Sequence, residues 1–434
     1  MTDSHVPPAA RPVGASARGA GIEAAGTFAA LRHRNFRLFF FGQMVSLTGT
    51  WMQRIAQSWL VLSLTNSPFL LGLVGMLQWF PVLCFSLIGG VVADRVSKRG
   101  VIVVTQTVQM LQAFALGALV LSGAVKFWHV AVLAIALGLA SAFDMPARQA
   151  FIFEMVEGTD TMNAVALNSM IVNVARLLGP AVAGVAIGWV GMAPAFLANG
   201  ASFIPVIVAL LLMQVRPVQA VRAADGVLTH LREGIAYLRE TPPVLQVIVL
   251  LAVDSVFALN FTLLSSVLAK DVLHAGAQGF GFLMSSQGAG ALIGAVAVAS
   301  LAYLGPRPIL LYGGATVLGF AEVALSLVRH FLPAAVTIGV AGASMVLFTA
   351  TVNTTLQLSS PDHLRGRIMA VYSLVMGGLT PIGSLVAGTL AQFWGAPGAF
   401  LVGGVAGLVG VAAVLRWRAI TSQPVTATAR AHGD

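Results

Sequence analysis

The chain has one cysteine, Cys84, in 434 residues, and charged residues make up only 9% of it. A single cysteine excludes disulfide bonds within the chain and cysteine-based metal sites. The sequence also has no Gly-x-x-x-x-Gly-Lys-Ser/Thr phosphate loop and no histidine pair at metal-ligand spacing in a helix. We therefore expect no ATP hydrolysis, no metal site and no cofactor, and because no nucleophile stands beside a base, we expect no enzyme.

What the sequence does have is long apolar segments. Hydrophobic residues make up 58% of the chain and the mean hydropathy is +0.89, whereas a soluble domain uses roughly 45–50% apolar residues. A helix needs about 20 predominantly apolar residues to cross a bilayer. The sequence therefore predicts an all-α integral membrane protein with 12 transmembrane helices, at residues 36–63, 69–93, 100–122, 128–146, 162–189, 195–215, 244–268, 279–303, 308–328, 332–355, 368–393 and 397–417.

The basic residues predict the orientation of these helices. With the N-terminus inside, 19 of the 24 Lys and Arg fall in inner segments, three in outer loops and two within spans. Because basic residues are retained on the cytoplasmic side, both termini are expected in the cytoplasm. The net charge of +9 then mostly reflects the basic residues that mark the cytoplasmic segments. Because these residues do not form one basic face, nucleic-acid binding is not expected.

A weak internal repeat divides the chain into two halves. Residues 163–184, which end in LGPAVAG, align with residues 367–388, which end in IGSLVAG, at an offset of 204. Equal orientation indicates a parallel repeat about an axis along the membrane normal. The predicted organisation is two pseudo-symmetric six-helix halves, with a disordered cytoplasmic leader at 1–35, the N-terminal half at 36–215, a cytoplasmic linker at 216–243, the C-terminal half at 244–418 and a cytoplasmic tail at 419–434.

A charged loop separates the second and third predicted helices. It reads GVVADRVSKR (90–99) and resembles the signature Gly-x-x-x-Asp-Arg/Lys-x-Gly-Arg/Lys-Arg/Lys of the major facilitator superfamily, with Ser97 in place of the second glycine. This resemblance implies that superfamily's fold and alternating access, usually in a monomer. It also implies a cytoplasmic gate, for which the candidate residues are Gly90, Asp94, Arg95, Lys98, Arg99, Asp144 and Arg148. A solvated turn is the alternative interpretation of the loop.

Three further segments resemble the enterobactin-exporter and macrolide-efflux branch of that superfamily. They are WMQRIAQ (51–57), DMPARQAF (144–151) and NVARLLGP (173–180). In the last, Gly179, Pro180 and Gly184 are similar to an antiporter motif, with Ala183 replacing one glycine. The resemblance implies export across the bacterial inner membrane. The alternative is that these residues only kink and pack the fifth helix.

Polar residues inside the predicted spans indicate a path. Gln43, Ser46, Thr50, Gln53 and Gln57 form one stripe along the first helix at helical spacing. Two arginines, Arg54 and Arg176, also lie within spans. An arginine near the centre of a membrane helix costs on the order of 3 kcal/mol, so both are expected to meet water, substrate or a carboxylate.

Two carboxylates, Asp254 and Glu322, lie deep within predicted spans. Asp254 falls near mid-bilayer in the seventh helix and is the predicted proton carrier, because a carboxyl group in a low-dielectric cavity can take up and release a proton. A neighbouring arginine would make the binding of a proton and of an anionic substrate interdependent. A permanent ion pair between Asp254 and an arginine is the alternative, and Glu322 is expected to pair structurally or remain protonated.

Further cavity residues follow from helical periodicity. One face of the fifth helix carries Ser169, Asn173 and Arg176, and one face of the eleventh carries Ser373, Thr380 and Ser384. Gln287 of the eighth helix is a further predicted cavity residue. We expect proton-coupled export of an amphipathic organic compound, such as a siderophore, drug or secreted metabolite. The alternatives are proton-coupled uptake of a small solute and a nontransporting receptor or assembly factor.

Overall fold

The computed structural model describes residues 28–156, 160–214, 227–301 and 307–421, and nearly all of them are helical. Residues 1–27 of the predicted leader, 216–226 of the predicted linker and 422–434 of the predicted tail lie outside the described residues. The helices are α1 Arg34–Thr65, α2 Pro68–Arg95, α3 Lys98–Leu121, α4 Phe127–Met155, α5 Thr161–Val190, α6 Met192–Leu212, α7 Val227–Glu240, α8 Pro242–Phe257, α9 Phe261–Val267, α10 Gly276–Leu301, α11 Pro308–Leu327, α12 Phe331–Ser359, α13 Asp362–Gly378 and α14 Thr380–Thr421.

Within the described ranges, ten helical segments are long and apolar enough to cross a membrane. The 32-residue α1 is not among them, because its polar stripe and arginines lower its hydropathy. The last of the ten, Leu364–Ile420, is 57 residues long, more than twice what one crossing requires. It contains Gly395 at φ 67, a left-handed conformation that suits glycine and at which the chain turns.

Buried apolar side chains form three clusters that show how the helices are joined. The largest, which we call the joint core, combines residues such as Ile55 and Phe196 from α1–α6 with Phe261, Phe280 and Phe400 from the helices after α8. At the opposite end of the bundle, one cluster is built from α1–α6 and another from α7–α14. The two groups of helices therefore share a core at one end, the joined end, and have separate cores at the other, the split end.

Polar contacts also hold the joined end together. The Lys270 ammonium after α9 donates to the Leu62 carbonyl at 2.7 Å and to Asn66 Oδ1 at the end of α1. Ser67 donates to Gln392 Oε1 at 2.7 Å. These bonds link residues more than 200 positions apart in sequence, so they fasten one group of helices to the other.

Two glycine contacts bring helices from the two groups together near the joined end. An ideal Cβ on Gly184 of α5 would lie 2.9 Å from the Gly281 Cα of α10, and one on Gly388 of α14 would lie 2.8 Å from the Gly72 Cα of α2. Gly184 and Gly388 are equivalent positions of the 204-residue repeat. The repeated glycines thus make equivalent close contacts between the two groups of helices.

Candidate functional site

Two adjoining cavities of about 430 and 260 Å³ meet at the arginines of α1 and α5. The larger is lined by residues of α1–α6, and the smaller lies between the two groups of helices. Their shared wall consists of Trp51, Arg54, Gln78, Trp79 and Arg176. The larger cavity extends to Arg148 and Ile152 near the end of α4, toward the split end. The smaller extends to Leu71 at the start of α2 and to the interruption between α8 and α9. The volume of the larger cavity is in the range of pockets that bind a drug-sized organic molecule.

Two arginines meet at one indole ring in the shared wall. The Arg54 Cζ lies 4.5 Å from the centroid of the Trp51 ring and 5.8 Å from that of Trp79. The Arg176 Cζ, contributed by α5, lies 5.2 Å from the Trp51 centroid. Both guanidinium groups are therefore stabilised by the electron-rich ring faces, and the expected carboxylate partner is absent from the ion pairs of the described residues.

Gly179 determines how close Arg176 comes to that ring. An ideal Cβ on Gly179 would lie 2.5 Å from the Trp51 Cβ and 3.0 Å from the Thr48 carbonyl. Gly179 and Arg176 are three residues apart and share a face of α5. The small residue of the antiporter-like motif therefore lets α5 pack directly on α1 and places the Arg176 guanidinium over Trp51.

The polar stripe of α1 divides between two environments. Gln43, Ser46, Thr50 and Gln57 line the cavities, as the periodicity predicts. Gln53 does not: it donates to Gln112 Oε1 at 2.9 Å and accepts from Asn199 Nδ2 at 2.6 Å, inside the group of helices α1–α6. The prediction of Gln53 as a cavity residue is wrong, because packing against α3 and α6 takes up one side of the stripe.

Three other predicted cavity residues are placed elsewhere, and the first of them, Ser169, is exposed and lines neither cavity. Asn173 donates to the carbonyl of Ser169 at 3.0 Å on its own helix, and the cavity is lined instead by Asn168, five residues earlier on a different face of α5. Ser373 is exposed and is not among the cavity-lining residues. Spacings of three and four residues cannot distinguish neighbouring helix faces. Gln287, Thr380 and Ser384 do line the smaller cavity.

Sequence reasoning missed the glutamines of α3. Gln106 and Gln109 line the larger cavity, and Gln112 continues the row at the same spacing of three. Each has a buried amide atom without a hydrogen-bond partner among the described residues. A row of amides in an apolar segment was the signal that could have identified them.

The charged loop lies at the split end of the bundle. Asp94 and Arg95 are exposed, and no atom lies within 4 Å of an ideal Cβ on Gly90. Lys98 pairs with Glu154 at 2.7 Å, and Arg99 donates to the carbonyls of Leu211 and Met213. These contacts stay within α1–α6, so in this conformation the loop does not connect the two groups of helices.

Arg148 forms an ion pair with Asp144 one helical turn earlier, at 3.0 Å. Asp144 also accepts hydrogen bonds from Thr105 at 2.9 Å and Gln106 at 3.1 Å, and it is 2% exposed. The pair lines the larger cavity. In this conformation Asp144, rather than Asp94, is therefore the partner of Arg148.

Asp254 and Glu322 lie together away from both cavities. Each is 1% exposed, and neither is among the residues that line the cavities. The Asp254 Oδ1 lies 3.2 Å from an ideal Cβ on Gly407, and the Glu322 Oε2 lies 2.8 Å from one on Gly403. Since these glycines are one turn apart on α14, the two carboxyl groups face the same strip of that helix. The expected cavity position of Asp254 is thus replaced by a buried position beside Glu322.

The helix that carries Asp254 is interrupted directly after it. The Asp254 carbonyl accepts from the N–H groups of both Ala258 and Leu259, where α8 ends. Leu259 and Asn260, in the interruption, line the smaller cavity. Asp254 therefore lies outside the cavity, but the residues that follow it along the chain, Leu259 and Asn260, form part of the cavity wall.

Comparison with known sequences gives consistent matches along most of the chain. A profile of the family described as transmembrane secretion effector matches residues 25–432. The staphyloferrin A transporter of Staphylococcus aureus is 24% identical over 85% of this chain and 92% of its own length. The multidrug efflux pump Tap of Mycolicibacterium fortuitum is 26% identical over 84% of this chain and 91% of its own.

Solved structures show the same fold at low sequence identity. The nucleoside transporter NupG superposes with a TM-score of 0.71 at 13% identity, covering 91% of this chain and all of that one. A bacterial homologue of the iron transporter ferroportin, in an inward-facing state, gives a TM-score of 0.66 at 17% identity, covering 88% of this chain and 98% of that one. These likenesses concern the fold alone.

Proposed function

The chain belongs to the transmembrane secretion effector family, a branch of the major facilitator superfamily of membrane transporters, and from this premise we propose that it exports an amphipathic organic compound by proton antiport. It is a bacterial membrane transporter and not an enzyme. The observation that carries the proposal is the pair of adjoining cavities, one inside the group α1–α6 and one between the two groups of helices, lined by tryptophans, amides and arginines. Siderophores, drugs and secreted metabolites are the classes of compound that we propose.

We further propose twelve crossings with both termini in the cytoplasm. Ten segments qualify by length and composition; α1 supplies an additional crossing, and the turn at Gly395 divides the last segment into two. The distribution of basic residues supports this orientation. It places the split end, with Asp94 and Lys98, on the cytoplasmic side and the joined end outside.

In this orientation the conformation is open to the cytoplasm, and transport requires the two halves to rock about the cavity. Opening to the outside would separate the joint core, the Lys270 bonds and the glycine contacts. Closing the cytoplasmic side would bring the charged loop toward the C-terminal half. We propose that Asp94, Arg95 and Arg148 then form the cytoplasmic gate.

We propose that Asp254, together with Glu322, carries the proton. Asp254 Oδ2 and both carboxyl oxygens of Glu322 are buried without a hydrogen-bond partner among the described residues, so a proton would neutralise a charge that no donor compensates. The interruption at Leu259 and Asn260 offers a mechanical link from this pair to the cavity. Discontinuous helices of this kind allow an ion site and a substrate site to change together.

The proposal is tested by accumulation of a panel of dyes, antibiotics and siderophores in efflux-deficient cells. Cells with the wild-type protein should accumulate less of at least one compound, and a protonophore should abolish the difference. Asp254→Asn should abolish gradient-driven export while exchange of the compound across the membrane remains measurable. The matched control is Asp271→Asn at an exposed carboxylate just beyond the end of the same predicted span, which should export normally.

Other results would contradict separate parts of the proposal. Higher accumulation with the wild-type protein would indicate uptake, and unchanged accumulation of every compound would oppose a transport role for this class. Normal uphill export by Asp254→Asn would exclude the carboxylate from proton coupling.

A further inference from the structure

The charge balance of the cavity walls is strongly positive. Three arginines line the cavities, namely Arg54, Arg148 and Arg176, and within the described chain their lining includes one acidic residue, Asp144. Asp144 is already bonded to Arg148, Thr105 and Gln106. Two positive charges therefore remain without a negative counterpart in the cavity.

The two uncompensated arginines share one aromatic neighbour, although like charges repel. Both guanidinium carbons lie within 5.2 Å of the centroid of the Trp51 ring. Arg176 Nε is buried and has no hydrogen-bond partner among the described residues. A buried guanidinium group with an unused donor is costly to keep, and a bound anion would remove that cost.

The surroundings of the arginines are apolar and aromatic. Trp51 and Trp79 lie beside them, and Leu71, Val74 and Phe261 line the same cavity. The two remaining carboxylates deep in the membrane-spanning helices, Asp254 and Glu322, face α14 instead of the cavity. The walls thus combine forked cationic donors, which suit carboxylate or phosphate groups, with flat rings that stack on a planar body.

We propose that the transported compounds are organic anions, in which a carboxylate or similar oxyanion is bound by Arg54 and Arg176 while a planar apolar portion packs against Trp79 and the apolar wall of the smaller cavity. This inference rests on the proposed export function and specifies its substrate class. It excludes lipophilic cations as good substrates, because they would meet two like charges without a carboxylate to pair with.

Two xanthene dyes of similar shape and opposite charge test the proposal with purified protein. Fluorescein is anionic and rhodamine 123 is cationic, and binding of each is measured by fluorescence anisotropy in nanodiscs at pH 8. Wild-type protein should bind fluorescein at least tenfold more tightly than rhodamine 123. Arg54→Gln and Arg176→Gln should each weaken fluorescein binding by roughly tenfold or more, since each removes a charged hydrogen bond.

Control variants separate charge from folding. Arg176→Lys keeps the positive charge and should retain part of the affinity, and Arg232→Gln, at an exposed position of α7, should bind like the wild type. Fluorescein failing to bind, binding no more tightly than rhodamine 123, or binding unchanged in both glutamine variants would overturn the proposal. Because binding at equilibrium needs no gradient, this result is independent of whether export itself is observed.

Discussion

Replacing Gly184 by valine should open the joined end of the bundle. The Gly184 Cβ would lie 2.9 Å from the Gly281 Cα and 3.1 Å from the Gln278 carbonyl, both backbone atoms of α10. Backbone atoms cannot move aside as the end of a flexible side chain can. The branched side chain therefore destabilises every conformation in which α5 and α10 touch at this point, but not one in which they have separated.

The size of the effect follows from the cost of overpacking, about 1–3 kcal/mol. If the closed and open arrangements of the joined end are in equilibrium, that cost shifts their ratio by roughly 5- to 150-fold. The shift favours the arrangement open at the joined end, which we propose to be the outside.

Cysteine labelling measures this ratio directly. Cys84 is the sole cysteine of the chain, so Cys84→Ser provides a background without thiols. Ser58→Cys then introduces one thiol in the wall of the smaller cavity. A membrane-impermeant maleimide added outside intact cells should label this thiol slowly in the parent and at least several-fold faster with Gly184→Val.

The matched control is Gly313→Val in α11, where no atom lies within 4 Å of a new Cβ. An unchanged labelling rate with Gly184→Val would refute the argument that this contact seals the joined end. An equal increase with Gly313→Val would show that the effect comes from a general loosening of the fold.

Two more predictions concern the gate and the stability of α1. Asp94→Asn should slow transport without reducing the amount of protein in the membrane or its thermal stability, because Asp94 is exposed at the split end; normal transport would exclude it from the gate. Gln53→Leu should lower the stability of the detergent-solubilised protein by about 1–3 kcal/mol, because it leaves Gln112 and Asn199 without their buried partner. In the same thermal-unfolding measurement, Gln357→Leu, at an exposed bond on the surface of α12, should change little, and equal losses would refute the burial argument.

The sequence was sufficient for features that depend on composition and local spacing. The apolar segments predicted a helical membrane protein, and the charged loop with the segment around Gly179 predicted the family, which the profile match confirms. The structure places Gln43, Ser46, Thr50 and Gln57 of the α1 stripe in the cavity walls, and their role in transport stays a prediction. The count of twelve crossings and the orientation of the termini stay predictions.

Helical periodicity could not predict which neighbour each side of a helix packs against, or which residues its side chains contact. Spacings of three and four residues describe a broad side of a helix, and they cannot tell whether Gln53 meets a cavity or another helix. The structure assigned it to Gln112 and Asn199 because α3 and α6 pack on that side. For the same reason Asn168 rather than Asn173 lines the cavity on α5.

The amino-acid sequence by itself determined that this chain lies in a membrane, because the hydrocarbon core selects for apolar length irrespective of how the helices pack. It also determined which ionisable residues are placed there. Only the tertiary structure decided that the two arginines meet at Trp51 while the two carboxylates gather at α14. Charge interactions depend on the distance between side chains from different helices, and that distance is set by packing contacts such as Gly179 against Trp51.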